Sequence, residues 1–370
     1  MAEEEKEAPL HADILEAILS HVPLIDLAPA SRVSGTWKRA VLSSLERFNK
    51  IKPWLVVHTK SSRHPYKEAT HAYDPRSHVW VEIQQPTMEH VPALRSSHST
   101  LLYILSPCRF TFSVDPFHLM WHTADSPIVW RSDPVVALVG HRAVVAGGMC
   151  DFGDEPIPME IYDLSTRKWD VCNSIPAILV DTAASTCLSV AVDECRMYVM
   201  EKSSGVTYFF EPSSKTWRGP YDMQPDKKAF SSLIGFINDR MVVVGLIGDA
   251  ENVNGVKMWE VKGEMSELRE MGKMPKELVG KLKGESPRVS SIGMTSMGDV
   301  AYFHNSSDPV ELILCEVSKG VCKWGSVRNV VVKDGGGMQS FVFTCSNVGI
   351  VDLHEALRSG YMRFAIKDVA

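Results

Sequence analysis

The sequence predicts a mainly β fold: a six-bladed β-propeller preceded by three short helices. Three observations predict it. Helical periodicity is confined to roughly the first fifty residues. After Pro53 the chain turns to many short β-rich runs, with Gly, Pro, Asp and Ser between them. One short phrase then recurs six times at the spacing of a propeller blade.

The helical head comes first. Ile14, Leu15, Ile18, Leu19 and Val22 fall on one face of a helix that Asp13 would cap and Pro23 would stop. A second short helix is expected after a cap at Asp26. A third begins near Ser34 and carries Trp37, Ala40, Val41 and Leu45 at helical spacing. So small a unit buries little surface by itself. Apolar groups beyond its own core call for a partner, or for packing onto the domain that follows.

The β region is organised by its repeat. Each copy is an apolar or aromatic residue, an acid, a short turn and then a large apolar side chain. Four copies span seven positions: Tyr73-Asp74-Pro75 to Trp80, Val114-Asp115-Pro116 to Trp121, Tyr162-Asp163-Leu164 to Trp169, and Phe210-Glu211-Pro212 to Trp217. Two span nine, Trp259-Glu260-Val261 to Leu268 and Cys315-Glu316-Val317 to Trp324, so their hairpins are expected to be two residues longer. The final positions are separated by 41, 48, 48, 51 and 56 residues, the period of a four-stranded blade. The acid ends a strand and can accept turn N–H groups. The Trp is large enough to fill the wedge between neighbouring blades. Gly147 and Gly148 are expected on an inner strand, where blades converge.

Blade three reads as four strands, VVALVG, RAVVAGG, MEIYD and KWDVC. Blade one starts at Trp54 with a run that corresponds to the second of these. The segment 340–345, SFVFTC, has the length and pattern to supply the missing first strand. The expected ring is therefore closed by strand exchange between the two ends of the β region, which removes exposed edges.

Composition narrows the function. The formal charge is −6 over 370 residues, and no Lys/Arg cluster is interleaved with aromatics. Nucleic acid is an unexpected partner for such a surface. No apolar run is long enough to cross a bilayer, so no membrane partner is expected. The start, MAEEEKEAP, is acidic and lacks a signal-peptide pattern, and residues 1–9 are expected to be a disordered acidic tail. Eight cysteines stand at irregular spacing without a C-x-x-C pair, which suits a reduced cytoplasmic or nuclear setting.

Two resemblances join here. With its glycine pair, tyrosine and tryptophan in order, the region 53–355 resembles the kelch-repeat family, most closely at blade three. The segment LHADILEAILSHVPLIDLAPASRVSGTWKRAV resembles an F-box, spanning 10–48, and 356–370 is left as a tail. Leu10, Ile14, Ile18, Leu19, Val22, Pro23, Leu27, Val33 and Trp37 carry the second likeness, and Pro29 falls inside the second helix. Together they resemble the plant F-box/kelch-repeat family, and within it the subgroup that recognises phenylpropanoid and flavonoid enzymes such as chalcone synthase. The resemblance implies a substrate-recognition subunit of a cullin-based ubiquitin ligase. These residues and Leu24 would then contact a Skp-type adaptor and through it a cullin. A target protein would be held by propeller loops, with 58–69, 149–158, 202–205 and 249–255 as candidates. Two other readings stay open: a propeller scaffold without ubiquitination, and a metal-dependent kelch enzyme.

Several apparent sites are better explained without chemistry. Asp151-Phe152-Gly153 has the letters of a kinase magnesium motif, but none of its companion motifs occurs in order. Gly147-Gly148 is followed by no helix that could hold a phosphate, and Gly335-Gly336-Gly337 leads into a strand. His118 and His122 have the spacing of zinc ligands on a helix but flank Trp121 in a strand phrase. The Glu/Asp/His triplet at four-residue steps that iron-dependent kelch proteins call for is absent. No catalytic residue, metal or cofactor is expected.

Overall fold

The computed structural model of the chain describes residues 12–61, 68–84, 94–115, 120–149, 158–180, 186–284, 291–332, 339–360 and 362–367. Three helices lead: α1 (Ala12–Leu19), α2 (Leu24–Ala30) and α3 (Gly35–Arg47). Six sheets follow as the blades of a β-propeller. The first contains β1 (Trp54–Ser61), β2 (Glu68–Asp74) and β3 (Val79–Gln84). The second is β4 (Leu102–Ser106), β5 (Arg109–Ser113) and β6 (Trp121–Asp125). The third is β7 (Val135–Val139), β8 (Arg142–Ala146), β9 (Met159–Asp163) and β10 (Lys168–Cys172). A helical turn, α4 (Ala177–Val180), precedes the fourth: β11 (Leu188–Val192), β12 (Met197–Glu201), β13 (Val206–Glu211) and β14 (Thr216–Asp222). The fifth is β15 (Ala229–Ile237), β16 (Arg240–Gly248), β17 (Val253–Lys262) and β18 (Glu267–Lys273). After α5 (Lys276–Lys283) comes the sixth: β19 (Ile292–Met297), β20 (Val300–Asn305), β21 (Glu311–Ser318) and β22 (Val321–Arg328). The chain then adds β23 (Gln339–Ser346), α6 (Ile350–Ser359) and β24 (Arg363–Lys367). The first sheet has the order β23-β1-β2-β3-β24, so β23 stands inside β1.

By internal contacts the chain forms two compact units, Met1–Trp54 with His71–Pro86 and Asn347–Ala370, and Leu55–Thr70 with Thr87–Ser346. In the first unit α1 packs on α3, and α2 packs on α6. Leu15, Leu19, Leu24, Leu27, Ala28, Val41 and Leu45 are buried, and α6 adds Leu353 and Ala356. The expected caps shift. Asp13 and Asp26 lie inside first turns, where a carboxylate still meets the positive helix end. Pro23, placed as a stop, is the residue before α2, where its missing N–H costs nothing. Ser34 does cap α3, accepting the Trp37 N–H at 3.2 Å. Pro29 lies inside α2, one residue before its end.

The expected boundary at 355/356 falls inside α6, and part of the expected tail is the strand β24. It pairs antiparallel with β3 from Arg363↔Gln84 to Lys367↔Trp80, and Lys367 Nζ lies 2.6 Å from Glu82 Oε2. A fifth strand covers an edge that would otherwise present unpaired N–H and C=O groups.

In the second unit the buried clusters lie between successive blades. Blades two and three share Phe110, Phe112, Val145 and Tyr162, with Trp169 packed against them. Trp169 is 5.7 Å from Phe110 and 5.3 Å from Tyr162 between ring centroids, and its Nε1–H donates to the Asp125 carbonyl at 3.0 Å. Trp217, Leu268 and Trp324 border the clusters between blades three and four, four and five, and five and six. The wedge role expected of these positions follows.

Register explains the two longer phrases. Trp169 is opposite Tyr162, Trp217 opposite Phe210, and Trp324 opposite Cys315. Blade six keeps the pairing and lengthens both strands. In blade five the register differs: Leu268 faces Val261, and Trp259 faces Glu270. The acids act as expected where the turn is tight. Asp163 Oδ1 accepts the Ser165 and Thr166 N–H groups at 2.9 and 3.0 Å, and Asp74 Oδ1 accepts that of Arg76 at 2.9 Å. The later acids take side-chain partners instead, Arg196 for Glu211 and Arg240 for Glu260, both at 2.9 Å.

One expectation is corrected. Gly147 and Gly148 are not on an inner strand. They follow the end of β8, the second strand of its blade, with φ of 63° and 85°. A Cβ on Gly148 would meet the Ser132 carbonyl at 2.6 Å, so close backbone approach selects glycine here. In blade two, β4 to β6 pair as three strands, and the segment before them, 94–99, occupies the axial position irregularly. Only a single bridge, Arg95↔Tyr103, links it to β4.

Candidate functional site

Two surfaces could carry function, one on each unit. On the helical head, burial divides the predicted contact residues. Ile14 and Ile18, four apart on α1, are each 50% exposed, and Val33 is 64% exposed. Val22, Pro23 and Trp37 are half-buried. Leu19, Leu24 and Leu27 are buried and belong to the core of the head, so they cannot be contacts. One periodic pattern contains both faces of so short a helix. Leu10 lies outside the described residues. Phe48, 59% exposed, and Leu42, 45%, extend the apolar surface beyond the predicted set. A helix whose core is satisfied by Leu15 and Leu19 yet exposes two isoleucines has apolar area to offer a partner.

The head is held by a residue the sequence did not single out. Arg76, in the turn between β2 and β3, is buried. Its Nη1 donates to the Val22 carbonyl at 2.6 Å, and Nη2 to those of Leu19 and Ser20 at 3.2 and 3.1 Å. Nε donates to the Asn49 carbonyl at 2.9 Å, and Asn49 returns a bond to the Arg76 carbonyl at 3.1 Å. These carbonyls lie just at and beyond the C-terminal end of α1 and at the exit of α3, where a cation is favoured. A second tie comes from α6. His354 Nε2 lies 2.7 Å from the Ala28 carbonyl and 3.1 Å from Ser31 Oγ. An arginine following Asp-Pro in a turn was the available signal, and it does not say which carbonyls the guanidinium meets.

On the propeller, all four candidate loops connect second to third strands of their blades, so the topology gathers them at one end of the ring. Two are stiffened by their own acids. Glu201 accepts the Ser203 and Ser204 N–H groups at 3.0 and 2.7 Å, and Asp249 those of Glu251 and Asn252 at 3.0 and 2.8 Å. Most of 149–158 and the middle of 58–69, with Asp151-Phe152-Gly153, lie outside the described residues.

The same end carries an apolar platform that the repeat pattern concealed. Between blades two and three, Ile128 is 70% and Trp130 41% exposed, and Met149 beside them is 63% exposed. Ser132 and Met149 exchange backbone hydrogen bonds at 2.8 and 2.9 Å. Beneath lies a fully buried ion pair, Arg131 with Glu160. Glu160 also accepts the Ile128 N–H at 2.5 Å, and Arg131 donates to the Pro158 carbonyl at 2.9 Å. The pair pins the connection while its neighbours face solvent. The available signal was the run Pro127-Ile128-Val129-Trp130 in a linker.

The remaining motifs assemble no chemistry among the described residues. His122 is exposed and stacks on Phe112 at 5.2 Å, and His118 lies outside the described set, as do Gly335 to Gly337. No three His, Cys, Asp or Glu side chains converge as a metal site among the described residues. No helix among them is long and apolar enough to cross a membrane.

Comparison with known proteins agrees with this geometry. Residues 10–49 match the F-box domain. The chain is 41% identical over 371 residues to F-box/kelch-repeat protein At1g23390 of Arabidopsis thaliana, covering 96% of this chain and 94% of that one.

Proposed function

The chain belongs to the plant F-box/kelch-repeat family, and on that premise we propose that it is the substrate-recognition subunit of a cullin-based ubiquitin ligase. The observation that carries the proposal is the exposure of Ile14, Ile18 and Val33 on a head whose own core is complete. These apolar side chains take the Skp-type adaptor. The loop end of the propeller, with Ile128, Trp130 and Met149, takes the target. The chain contributes proximity: a target lysine held near a ubiquitin-loaded enzyme reacts at raised effective concentration.

Purified adaptor should co-elute with the full chain and not with Ile14→Asp plus Ile18→Asp. Both positions are half-exposed, so the variant keeps its fold, and two buried charges should weaken binding by about a hundredfold or more. Co-elution of the variant would overturn the contact assignment. Failure of the wild type to bind would overturn the ligase reading.

The target class we propose is an enzyme of phenylpropanoid or flavonoid synthesis such as chalcone synthase, supported by the subgroup resemblance. Its half-life should lengthen at least about twofold when this chain is removed, since degradation can change abundance severalfold. An unchanged half-life would sink that target. The proposed compartment is cytoplasmic or nuclear, supported by free thiols at Cys172, Cys315 and Cys345 in the interior.

A further inference from the structure

The F-box match stops at residue 49, but the helical head does not. From the other end of the chain, α6 joins the same compact unit as α1, α2 and α3. It meets a need there. α2 has seven residues, no side-chain cap at its start and a proline inside. A helix so short is marginal by itself and keeps its shape through tertiary packing. α2 packs more extensively on α6 than on α3. Ile350, Leu353 and Ala356, three apart along α6, form its buried stripe, and Leu24, Leu27 and Ala28 are the buried residues of α2.

A polar contact fixes the pair of helices. The Ala28 carbonyl, in the last turn of α2, accepts from Ser31 Oγ at 2.8 Å and from His354 Nε2 at 2.7 Å. A carbonyl only accepts, so Nε2 of His354 carries a hydrogen. The same nitrogen lies 3.1 Å from Ser31 Oγ. α6 is itself held at both ends. Asp352 Oδ2 accepts the Gly349 N–H at 2.7 Å at its start. At its finish the chain turns through Gly360, with φ of 67°, and β24 then pairs with β3.

The outer side of α6 exposes apolar groups that its own packing does not use. Val351 is 67% exposed and Leu357 41%. Each lies three residues from His354, so both are its neighbours on the helix surface. His354 in turn reaches Ser31, two residues before the exposed Val33. Val33 falls within the F-box match. The apolar surface of the F-box therefore continues, across His354, onto α6.

We propose that α6 serves as a fourth helix of the F-box. Its buried stripe and His354 position α2, and Val351 and Leu357 contact the Skp-type adaptor beside Val33. This role rests on the ligase reading above. The adaptor is the occupant because the surface assigned to it at Val33 continues into these side chains. His354 lies 323 positions along the chain from Ser31, so adaptor binding depends on both ends of the protein.

The test is calorimetric titration of the full chain with purified adaptor, with hydrogen exchange of the free chain alongside. Val351→Asp with Leu357→Lys should weaken adaptor binding at least about tenfold. Aspartate suits the first turn of α6 and lysine the last, so exchange in α2 and α6 should stay at the wild-type rate. Val321→Asp, at a 68% exposed position on β22 in the second unit, should leave binding unchanged. His354→Ala should speed exchange of α2 amides about fivefold, the loss of about one hydrogen bond, and weaken adaptor binding by a similar factor. His354→Gln, which keeps an N–H donor near the place of Nε2, should recover most of both. Wild-type affinity in the Val351/Leu357 variant, while Ile14→Asp plus Ile18→Asp abolishes binding, would overturn the α6 contact and leave the ligase reading standing. Weakened binding accompanied by faster α2 exchange in that variant would overturn the contact as well. Unchanged α2 exchange in His354→Ala, a measurement that needs no adaptor, would overturn the positioning role. Failure of the wild type to bind would overturn the ligase reading, and the contact with it.

Discussion

Glu160→Ala should lower the stability of the propeller by about 3–5 kcal/mol, the usual cost of removing one member of a buried ion pair. Both side chains are fully buried. The substitution takes the Glu160 carboxylate from the Arg131 guanidinium and removes the acceptor of the Ile128 N–H. Replacing both partners at once, Arg131→Met with Glu160→Leu, should cost less than the single change, because no isolated charge remains buried. Urea unfolding followed by hydrogen exchange in β7 to β10 would report it. A single-mutant loss below about 1 kcal/mol, the scale of an exposed pair, would show that the pair is solvated in solution. Target binding should fall with it, since the connection bearing Ile128 and Trp130 is held by this pair.

Arg76→Ala should loosen the helical head and leave the propeller blades intact. Four carbonyls, those of Leu19, Ser20, Val22 and Asn49, lose a donor at once, although Leu19 keeps the Val22 N–H and Ser20 keeps the Asn49 amide. A charge-assisted hydrogen bond contributes about 1.5–3 kcal/mol, and these four share one side chain, so we expect a total near 2–4 kcal/mol. Hydrogen exchange of amides in α1 to α3 should then accelerate about thirtyfold or more, while β15 to β22 keep their protection. Arg76→Lys should not restore it: one ammonium cannot span four carbonyls that a planar fork reaches. Unchanged exchange in the head would mean that the α2 and α6 contact, with His354, suffices alone.

Much of this architecture was written in local pattern. The phrase ending in Trp169 or Trp217 carries its own geometry: an acid able to hold a turn, and a ring opposite the residue seven positions earlier. The phrase at Leu268 carried less, because strands β17 and β18 lengthen and slip by two, and a spacing cannot distinguish a longer loop from a longer strand. The glycine pair at 147 and 148 was legible as a need for small size, but the reason lies in the Ser132 carbonyl fifteen or more residues away. On the head, one helical period named Ile14, Leu15, Ile18 and Leu19 together. Which two face inward depends on where α3 lies.

By itself, then, the sequence determined the number of blades, the helical head and the family, because repeats and amphipathic periods are local and survive being read one window at a time. Only the tertiary structure decided which leucines are core and which isoleucines are offered to a partner. It alone placed Arg76 on the carbonyls of α1, buried Arg131 against Glu160 under Trp130, and brought α6 from the far end of the chain against α2. These are meetings of residues distant in sequence. Their energies come from burial and from charges brought within a few ångströms, and neither exists until the chain has folded.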